Sequence, residues 1–378
     1  MMKFRELFDS NMNPKWDYIE GINEFGKLKE TKQNTVWHHE NAFEHIKNVT
    51  TEMKKYLDSN NIDKESSYYL IMMCAALCHD LGKANTTSWD NEAQNWHCRN
   101  HGSESEKITR RLFYDDDFVI RETICYMVRW HMVLHHILDN ELEICEKMDF
   151  MSKGLVSVRN MLILNKCDSL GSVNDIETKE MLNERWERIE KIARDMDCFD
   201  TVFTDHEMPK SNYTINVYML IGLPGSGKNW LIEHDCMLST LPSISRDDIR
   251  TEIGISGEKP MGTKEQEKEV SKIFNNRMIE YADNRQGFII NNTNLKSVYR
   301  KQFATLLKFH KVYMKYIYVE ADSLETNYER RRGQMPLEVI DRMLANTEFP
   351  HPTECNELVF YVGNKVIDNG EFKKIMEV

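Results

Sequence analysis

Residues 215–229, INVYMLI followed by GLPGSGKN, decide the fold of the second half of this chain. The apolar run Ile215–Ile221 has the composition of a buried strand, and the glycines directly after it form a turn that opens a helix. In such a turn, backbone N–H groups and the positive end of the helix point at an anion, and the lysine reaches the β- and γ-phosphates. The stretch therefore predicts a polyphosphate site formed by Gly222, Gly225, Ser226, Gly227, Lys228 and Asn229.

Asn229 is the position where this loop differs from the usual pattern. A serine or threonine normally supplies its hydroxyl to Mg²⁺ at this point. An amide oxygen is also a hard ligand, directly or through water, so the change weakens only the argument for the metal.

The size and charge of the chain limit the classes of protein to which it can belong. It has 378 residues and a formal net charge of −12. The length predicts two domains, and the charge argues against a protein that coats nucleic acid without specificity, although a local basic groove can still hold a few nucleotides. No apolar run approaches membrane-spanning length, the N-terminus lacks a signal-peptide core, and the nine cysteines contain no Cys-x-x-Cys pair. These features predict a cytoplasmic protein with no membrane partner.

The two halves of the chain differ in periodicity. From about residue 41 to residue 196, apolar side chains recur at helical spacing and strand signals are almost absent, which predicts an all-helical first domain over residues 1–205. Residues 201–212 break the pattern and contain a proline, as a linker does. Strand-like and helical stretches then alternate, as they do when helices cover a mainly parallel sheet. This alternation predicts an α/β second domain over residues 206–378, with strands near 217–221, 287–291, 312–319 and 358–362 and helices near 265–284, 297–309 and 337–346.

Three further segments of the second half carry the polar groups that phosphoryl transfer needs. Ser245–Arg250 (SRDDIR) offers a carboxylate as general base for an attacking hydroxyl, and arginines that can hold phosphates through two hydrogen bonds. Ile289–Leu295 (IINNTNL) places amides and a hydroxyl at the end of a buried strand, where such sheets bind ligands. Glu329–Pro336 (ERRRGQMP) is typical of a lid whose arginines neutralise the charge on a transferred phosphoryl group.

In this order and spacing, the four segments resemble the 5′-hydroxyl polynucleotide kinases of the P-loop phosphotransferase superfamily, over roughly residues 214–350. The resemblance implies that Asp247 is the general base and that Arg250 contacts the acceptor-side phosphate. It also implies that Lys228, with Mg²⁺, stabilises the transferring phosphoryl group of ATP or another nucleoside triphosphate. Asn292 stands where the family has an aspartate, and we expect it to face the substrate. The predicted lid arginines are Arg330 and Arg332.

Histidines are concentrated in the first half, where nine of the thirteen lie between positions 38 and 136. The segment Cys78–Lys83 (CHDLGK) offers an imidazole and a carboxylate to one cation and an ammonium group to a phosphate. His45 lies upstream, and further candidate ligands lie downstream in HCRNH (97–101), RWH (129–131) and NKCD (165–168). One histidine on a helix is most often a hydrogen-bonded core residue, but several that accompany a His-Asp pair favour a metal centre.

This ordered set resembles the HD-domain metal-dependent phosphohydrolases. The resemblance implies that one metal is bound by four residues and that a second metal has two additional ligands, while Lys83 contacts the substrate phosphate. His39, with His38, is expected to contact substrate, and His135 and His136 are interpreted as surface or core residues. Imidazole and carboxylate ligands suit Mn, Fe, Ni, Co and Zn about equally. The predicted ligands are His45, His79, Asp80 and Asp168 for the first metal and His101 and His131 for the second.

With the hydrolase first and the polynucleotide kinase second, nearly the whole chain resembles the HD-Pnk family of bifunctional RNA end-healing enzymes. The resemblance implies that the N-terminal HD domain hydrolyses a terminal 2′,3′-cyclic phosphate or a 2′- or 3′-phosphomonoester. It implies that the C-terminal P-loop domain phosphorylates 5′-hydroxyl ends of RNA, with DNA left open, and that an RNA ligase acts on the healed ends.

Two alternatives from other functional classes stay open at the level of sequence. An HD nucleotidase could be fused to a nucleoside or nucleotide kinase, and such a protein would act on mononucleosides or mononucleotides and not on oligonucleotides. A non-catalytic nucleotide sensor would bind ATP without turnover, and the amides at Asn229 and Asn292 are the features that suggest it.

Overall fold

A computed structural model describes residues 2–135, 141–206, 213–255 and 262–377. The chain divides into two compact units, one of Met1–His206 with Gly370–Val378 and one of Glu207–Asn369. The last residues of the chain therefore belong with the first unit, whereas the sequence places them in the second domain. Phe372 explains the difference, because it is fully buried and packs its ring edge to face against Phe118 at 6.3 Å.

The first unit is built mainly from helices. Its most buried helix, α4, exposes almost nothing between Tyr68 and Cys78 and ends directly before His79 and Asp80. Because α4 packs against α3, α7 and α9, its end lies inside a helical bundle. The helices are α1 (Trp16–Gly21), α2 (Asn23–Gly26), α3 (Ala42–Ser59), α4 (Ser67–Cys78), α5 (Lys83–Thr86), α6 (His101–Leu112), α7 (Phe118–Trp130), α8 (Glu141–Ser152), α9 (Val158–Gly171), α10 (Lys179–Asp195) and, at the C-terminus, α17 (Gly370–Lys374).

A short hairpin interrupts the helices, although the sequence analysis predicts only helices in this half. Its antiparallel strands are β1 (Thr87–Asp90) and β2 (Asn95–Cys98). The Asp90 side chain closes the turn, because its Oδ1 accepts hydrogen bonds from the backbone N–H groups of Glu92 and Ala93. Strands of four residues are too short to give a clear alternating pattern in sequence.

The second unit is a six-stranded sheet, and its strands and helices agree with the predicted alternation. The strand order is β4-β5-β3-β6-β7-β8, in which every neighbouring pair is parallel except β7 and β8. A mainly parallel sheet is therefore confirmed. The strands are β3 (Ile215–Ile221), β4 (Ser243–Ile244), β5 (Phe288–Asn291), β6 (Val312–Glu320), β7 (Glu357–Val362) and β8 (Lys365–Ile367), and the helices are α11 (Lys228–His234), α12 (Arg246–Glu252), α13 (Lys264–Asp283), α14 (Ser297–Leu306), α15 (Leu324–Arg331) and α16 (Leu337–Leu344).

The carboxyl ends of the three parallel strands β3, β4 and β5 meet at one edge of the sheet, where ligands bind in such folds. Each end leads into one of the predicted segments: the phosphate loop follows β3, Ser245–Arg250 follows β4 and Asn291–Leu295 completes β5. No helix in the described ranges is long and apolar enough to cross a membrane.

A buried ion network joins α6 to α7 in the first unit. Arg110 on α6 donates through Nε and Nη2 to the Glu122 carboxylate on α7, at 3.0 and 2.7 Å. Its Nη2 also donates to Glu106 at 2.8 Å, and Arg121 donates to Glu122 at 2.8 Å. The side chains of these residues are at most 1% exposed. The network fixes α6 beside α7, and His101 and His131 lie at the ends of these helices.

We expect Glu122→Gln to lower the free energy of unfolding of the first unit by about 3–5 kcal/mol, because it removes the carboxylate that the buried guanidinium groups of Arg110 and Arg121 share. Urea titration followed by hydrogen exchange in α6 and α7 measures this loss separately from the second unit. The matched control is Arg111→Ala, which removes a largely exposed pair with Glu24 and should cost less than about 1 kcal/mol. Equal effects of the two substitutions would contradict a stabilising role for the network.

Candidate metal centre and phosphate site

Six titratable side chains from five helices or their ends converge inside the first unit. Each is at most 6% exposed, so the cluster is screened from solvent. One side chain comes from α3, two come from the residues after α4, and the others come from the start of α6, the residue after α7, and α9. They are His45, His79, Asp80, His101, His131 and Asp168, and these are the six positions at which the sequence predicts metal ligands.

The ring orientation of three of these histidines is set by the backbone. In each one, Nδ1 lies within hydrogen-bond distance of the carbonyl oxygen three residues earlier. In a neutral ring, the nitrogen that donates to a carbonyl carries the proton, so Nε2 is the atom whose lone pair can bind a metal. The bonds are His79 Nδ1 to Ala76 O at 2.9 Å, His101 Nδ1 to Cys98 O at 2.7 Å and His131 Nδ1 to Val128 O at 2.7 Å.

His45 is oriented by a carboxylate instead. Its Nδ1 lies 3.3 Å from Glu40 Oε1, and its Nε2 points toward the cluster. Glu40 is itself held by the ring of His38 at 3.1 Å and by the backbone N–H of Val173 at 3.2 Å. The sequence analysis does not predict this role of Glu40, because a carboxylate five residues before a histidine belongs to no recognised motif.

Three side chains form the first half of the centre. His45 Nε2 and His79 Nε2 lie 3.4 Å apart, and Asp168 Oδ1 lies 2.9 and 3.5 Å from them. Asp80 Oδ2 is 3.4 Å from His45 Nε2 and 3.3 Å from His79 Nε2. Ligand atoms bound to one divalent metal at about 2.1 Å are separated by similar distances, so this donor set fits a cation.

The second half of the centre is formed by His101 and His131, whose Nε2 atoms lie 3.0 Å apart. Two imidazole lone pairs this close repel each other unless they share a proton or bind a cation. Asp80 Oδ1 faces them at 3.2 and 3.8 Å. Among the described residues, neither oxygen of Asp80 has a partner with hydrogen-bond geometry, although both are buried. Asp80 can thus bridge two cations, with Oδ2 in the first half and Oδ1 in the second.

Lys83 lies against Asp80, and the sequence analysis predicts that it contacts a phosphate. Its Nζ is 2.6 Å from Asp80 Oδ2 and donates to Gln33 Oε1 at 2.7 Å. Burial opposes ionisation of Asp80, but the charges of His79 and Lys83 outweigh it and hold the pKa of Asp80 well below its usual range. The centre therefore keeps its carboxylate in the ionised form that a metal requires.

The predicted roles of the other histidines in the first unit stay predictions, and the structure gives the surroundings of three of them. His39 is exposed and lies 3.6 Å from Asp175, whereas His38 packs its ring against His45 at 4.7 Å. His135, interpreted from sequence as surface or core, has its Nε2 3.0 Å from Asp168 Oδ2. His136 lies outside the described residues.

In the second unit, the phosphate loop wraps around its own lysine. Lys228 Nζ donates to the carbonyl oxygens of Gly222 at 2.9 Å and Leu223 at 2.8 Å. Gly225 has a φ of 80°, and a Cβ there would meet the Asn327 carbonyl at 2.8 Å, so only glycine fits between the loop and α15. Asn327 also donates to Pro224 O at 2.9 Å and fixes α15 against the loop.

The lid arginines that face the loop are not the pair expected from sequence. Arg330 donates to Gly225 O at 3.0 Å. Arg331 lines the same cavity of about 340 Å³ as Lys228, whereas Arg332 lines a different cavity with Tyr328 and Gln334. The reason is helical geometry: Arg331 follows Asn327 by one turn of α15, and the helix ends before Arg332.

The two asparagines that depart from the family pattern have separate partners. Asn229 Oδ1 accepts a hydrogen bond from Asn291 Nδ2 at 3.0 Å. Asn292 Oδ1 accepts one from the backbone N–H of Arg246 at 3.1 Å and so holds the start of α12. Asn291, which the sequence analysis does not assign, is therefore the side chain at the end of β5 that lies beside the phosphate loop.

Asp247 and Arg250, whose roles toward the acceptor stay predictions, form a pair on α12. Arg250 Nη1 lies 2.5 Å from Asp247 Oδ1, and the Asp247 side chain is 89% exposed. Glu267, which has no predicted role, accepts from Arg250 Nε at 2.7 Å and Nη2 at 3.0 Å. It also accepts from Arg246 Nη2 at 3.2 Å and holds both arginines in place.

Comparisons with known families match each unit separately. The HD-domain family matches residues 42–166, and an AAA-domain family matches residues 217–350. The first unit thus contains a helical HD domain, and the second contains a P-loop kinase-like domain with a mainly parallel sheet. A search of curated proteins finds no match.

Two solved structures resemble part of the chain, and each covers 43% of the whole chain. A "putative kinase" from Chloroflexus aurantiacus J-10-fl is 16% identical over 93% of its own length, with a TM-score of 0.33. A gluconokinase from Sinorhizobium meliloti 1021 is 17% identical over 90% of its own length, with a TM-score of 0.28.

Because Asp80 faces both halves of the centre, Asp80→Asn should remove most of the bound divalent metal, whereas His131→Ala should remove only the metal of the second half. Elemental analysis of the purified full chain measures the metal content per protein. His97→Ala is the control, since His97 is half-buried but lies outside the cluster beside Asp90. A metal content in Asp80→Asn equal to that of the wild type would contradict the bridging arrangement.

Nucleotide binding should take up a proton at Lys228. Burial lowers the pKa of Lys228 to about 7, and the nearby charge of Arg331 acts in the same direction. A bound triphosphate favours the ammonium form and raises this pKa. Binding should therefore take up close to one proton at about pH 8, where the free lysine is mostly neutral, and almost none at about pH 5.5, where it is already protonated.

Titration calorimetry in buffers of different ionisation enthalpy measures this uptake. In Lys228→Arg the uptake should disappear at both pH values, because a guanidinium stays protonated. Equal uptake in wild type and Lys228→Arg would show that another group supplies it.

Proposed function

We propose that this protein heals broken RNA ends. The first unit hydrolyses a terminal 2′,3′-cyclic phosphate or a 2′- or 3′-phosphate, and the second transfers the γ-phosphoryl group of ATP to a 5′-hydroxyl. The observation that carries the proposal is that one chain holds a buried His-Asp centre and a phosphate loop accompanied by the Asp247–Arg250 pair. A nucleoside kinase has no acceptor-side phosphate for Arg250 to hold, and a nucleotide kinase, whose acceptor is itself a phosphate, does not need a general base such as Asp247.

For hydrolysis, His45, His79 and Asp168 would hold one divalent metal and His101 and His131 a second, with Asp80 shared between them. Divalent cations at such a centre clamp a phosphate and lower the pKa of bound water toward neutrality. Lys83, whose Nζ is 2.6 Å from Asp80, supplies an additional positive charge to the phosphate oxygens. Burial of the centre strengthens each of these electrostatic contacts.

For phosphoryl transfer, Lys228 moves from the loop carbonyls to the β- and γ-phosphates of the donor. Arg330 and Arg331 of α15 then neutralise the charge that develops on the transferred group. Asp247 is exposed enough to receive an incoming 5′-hydroxyl and accepts its proton. Arg250 meets the acceptor phosphate while Glu267 keeps its guanidinium oriented. Asn229 takes the place of the hydroxyl that usually faces Mg²⁺.

We also propose that this activity takes place in the cytoplasm and that an RNA ligase acts on its products. All nine cysteines are free thiols, as expected in the reducing cytoplasm. The products would be a 5′-phosphate and a 3′ end without its cyclic phosphate, which are the ends that an RNA ligase joins.

The test uses an RNA with a 5′-hydroxyl and a 2′,3′-cyclic phosphate, incubated with ATP, Mg²⁺ and a panel of transition metals, with both ends resolved by mass spectrometry. Asp247→Ala should lower 5′-phosphorylation by about 10²–10⁴-fold and leave 3′-end hydrolysis unchanged. Asp80→Ala should have the opposite effect.

Asp248→Ala is the matched control for Asp247→Ala, because Asp248 is the adjacent carboxylate on α12 and does not contact Arg250. Phosphorylation of mononucleosides but not of oligonucleotides would replace the proposal with small-nucleotide metabolism. Binding of ATP with no change at either RNA end would replace it with a nucleotide sensor.

A further inference from the structure

The hairpin of the first unit lies between two residues of the metal centre and has no part in the chemistry described above. Strand β1 begins four residues after Lys83, and β2 ends three residues before His101. Trp89 and Trp96 are directly opposite each other in the hairpin, with ring centroids 5.3 Å apart. The Trp89 side chain is 44% exposed, so a large aromatic surface faces solvent close to the centre.

The register of the hairpin places this surface on the strand face that ends beside the metal centre. Side chains two residues apart on a strand share a face, so the Trp89–Trp96 pair lies on the same face as Thr87 and Cys98. Cys98 borders the centre, because its backbone carbonyl oxygen lies 2.7 Å from Nδ1 of His101. At 3.3 Å per residue, the indoles lie about 7 Å along the strand from Cys98.

The hairpin is held firmly in this position. Asn95, at the start of β2, is buried; its Oδ1 accepts from the backbone N–H of Thr35 at 3.0 Å, and its Nδ2 donates to Asn34 Oδ1 at 3.1 Å. These bonds tie the hairpin to the segment that leads into His38. A two-stranded hairpin is only marginally stable by itself, so the tie and the indole pair together keep it ordered.

We propose that the Trp89–Trp96 face is the platform on which the base of the terminal nucleotide stacks while its phosphate lies at the metal centre. The inference rests on the proposed function, because it assigns the substrate of the first unit to nucleotide-bearing RNA ends. Aromatic platforms bind the bases of single strands without strong sequence preference, because every base has a π-face. Arg99, whose side chain is 82% exposed directly after β2, provides a positive charge for the preceding backbone phosphate.

The platform makes the base, and not only the phosphate, a determinant of binding. The test compares two RNA substrates that end in a 2′,3′-cyclic phosphate, one with a normal terminal nucleotide and one in which hydrogen replaces the terminal base. With wild-type protein, loss of the base should raise KM about tenfold and leave kcat nearly unchanged, as expected for loss of one stacked base. Trp89→Ala should raise KM by a similar factor for the normal substrate and cause no further increase for the abasic one.

Two other variants separate stacking from a structural effect. Trp89→Phe keeps an aromatic face and the cross-strand contact, so it should retain most of the discrimination between the two substrates. Tyr18→Ala removes an equally exposed aromatic ring elsewhere in the first unit and should change neither KM. If Trp89→Ala raises KM equally for both substrates, the tryptophans only support the hairpin and the inference is wrong.

The failure of this inference is distinguishable from the failure of the proposed function. If the wild-type protein opens or removes the cyclic phosphate of both substrates with the same KM, RNA end healing stands and the platform does not. If it acts on neither substrate with any metal of the panel, the proposed function itself fails, and the inference fails with it.

Discussion

The candidate metal centre depends on polar contacts that its histidines make away from the centre. His79, His101 and His131 each direct Nδ1 to a carbonyl three residues earlier, and His45 directs Nδ1 to Glu40. Every Nε2 is thereby aimed inward, where it can bind a cation once the ring is neutral. Three of these histidines lie at helix ends, where the backbone geometry brings the earlier carbonyl within reach. Because carbonyl oxygens hold the Nδ1 atoms of His101 and His131, their Nε2 atoms face each other and lie 3.0 Å apart in the buried site.

Burial of polar groups at this centre requires a rigid scaffold around it. Helix α4 is apolar on all sides and places His79 and Asp80 within the bundle. The buried Arg110–Glu122 pair fixes α6 against α7, which are the helices that bring His101 and His131 together. A shift of either helix would move His101 or His131 away from Asp80, which is the group common to both halves of the centre.

In the second unit, the lysine of the phosphate loop has no fixed carboxylate partner among the described residues. Lys228 is held by the carbonyl oxygens of its own loop, and burial lowers its pKa to about 7. These neutral acceptors are exchanged easily for phosphate oxygens, which are better partners for an ammonium group. Arg250, by contrast, is fixed by the carboxylates of Glu267 and Asp247, so it has charged partners where Lys228 has only neutral ones.

The sequence by itself determined the two-unit organisation, the parallel sheet, the position of the phosphate loop and the six side chains that converge in the first unit. These follow from contiguous signals, namely the alternation of strands and helices, the glycine pattern and the His-Asp pair, whose geometry is mostly local. Their roles as metal ligands stay a prediction. Only the tertiary structure decided that Glu40 orients His45, that Asp80 faces both halves of the centre and that Arg331, not Arg332, faces the loop. It also revealed the hairpin and its exposed tryptophan pair. Such relations depend on which helix faces pack together and on where a helix ends, and residues distant in sequence set both.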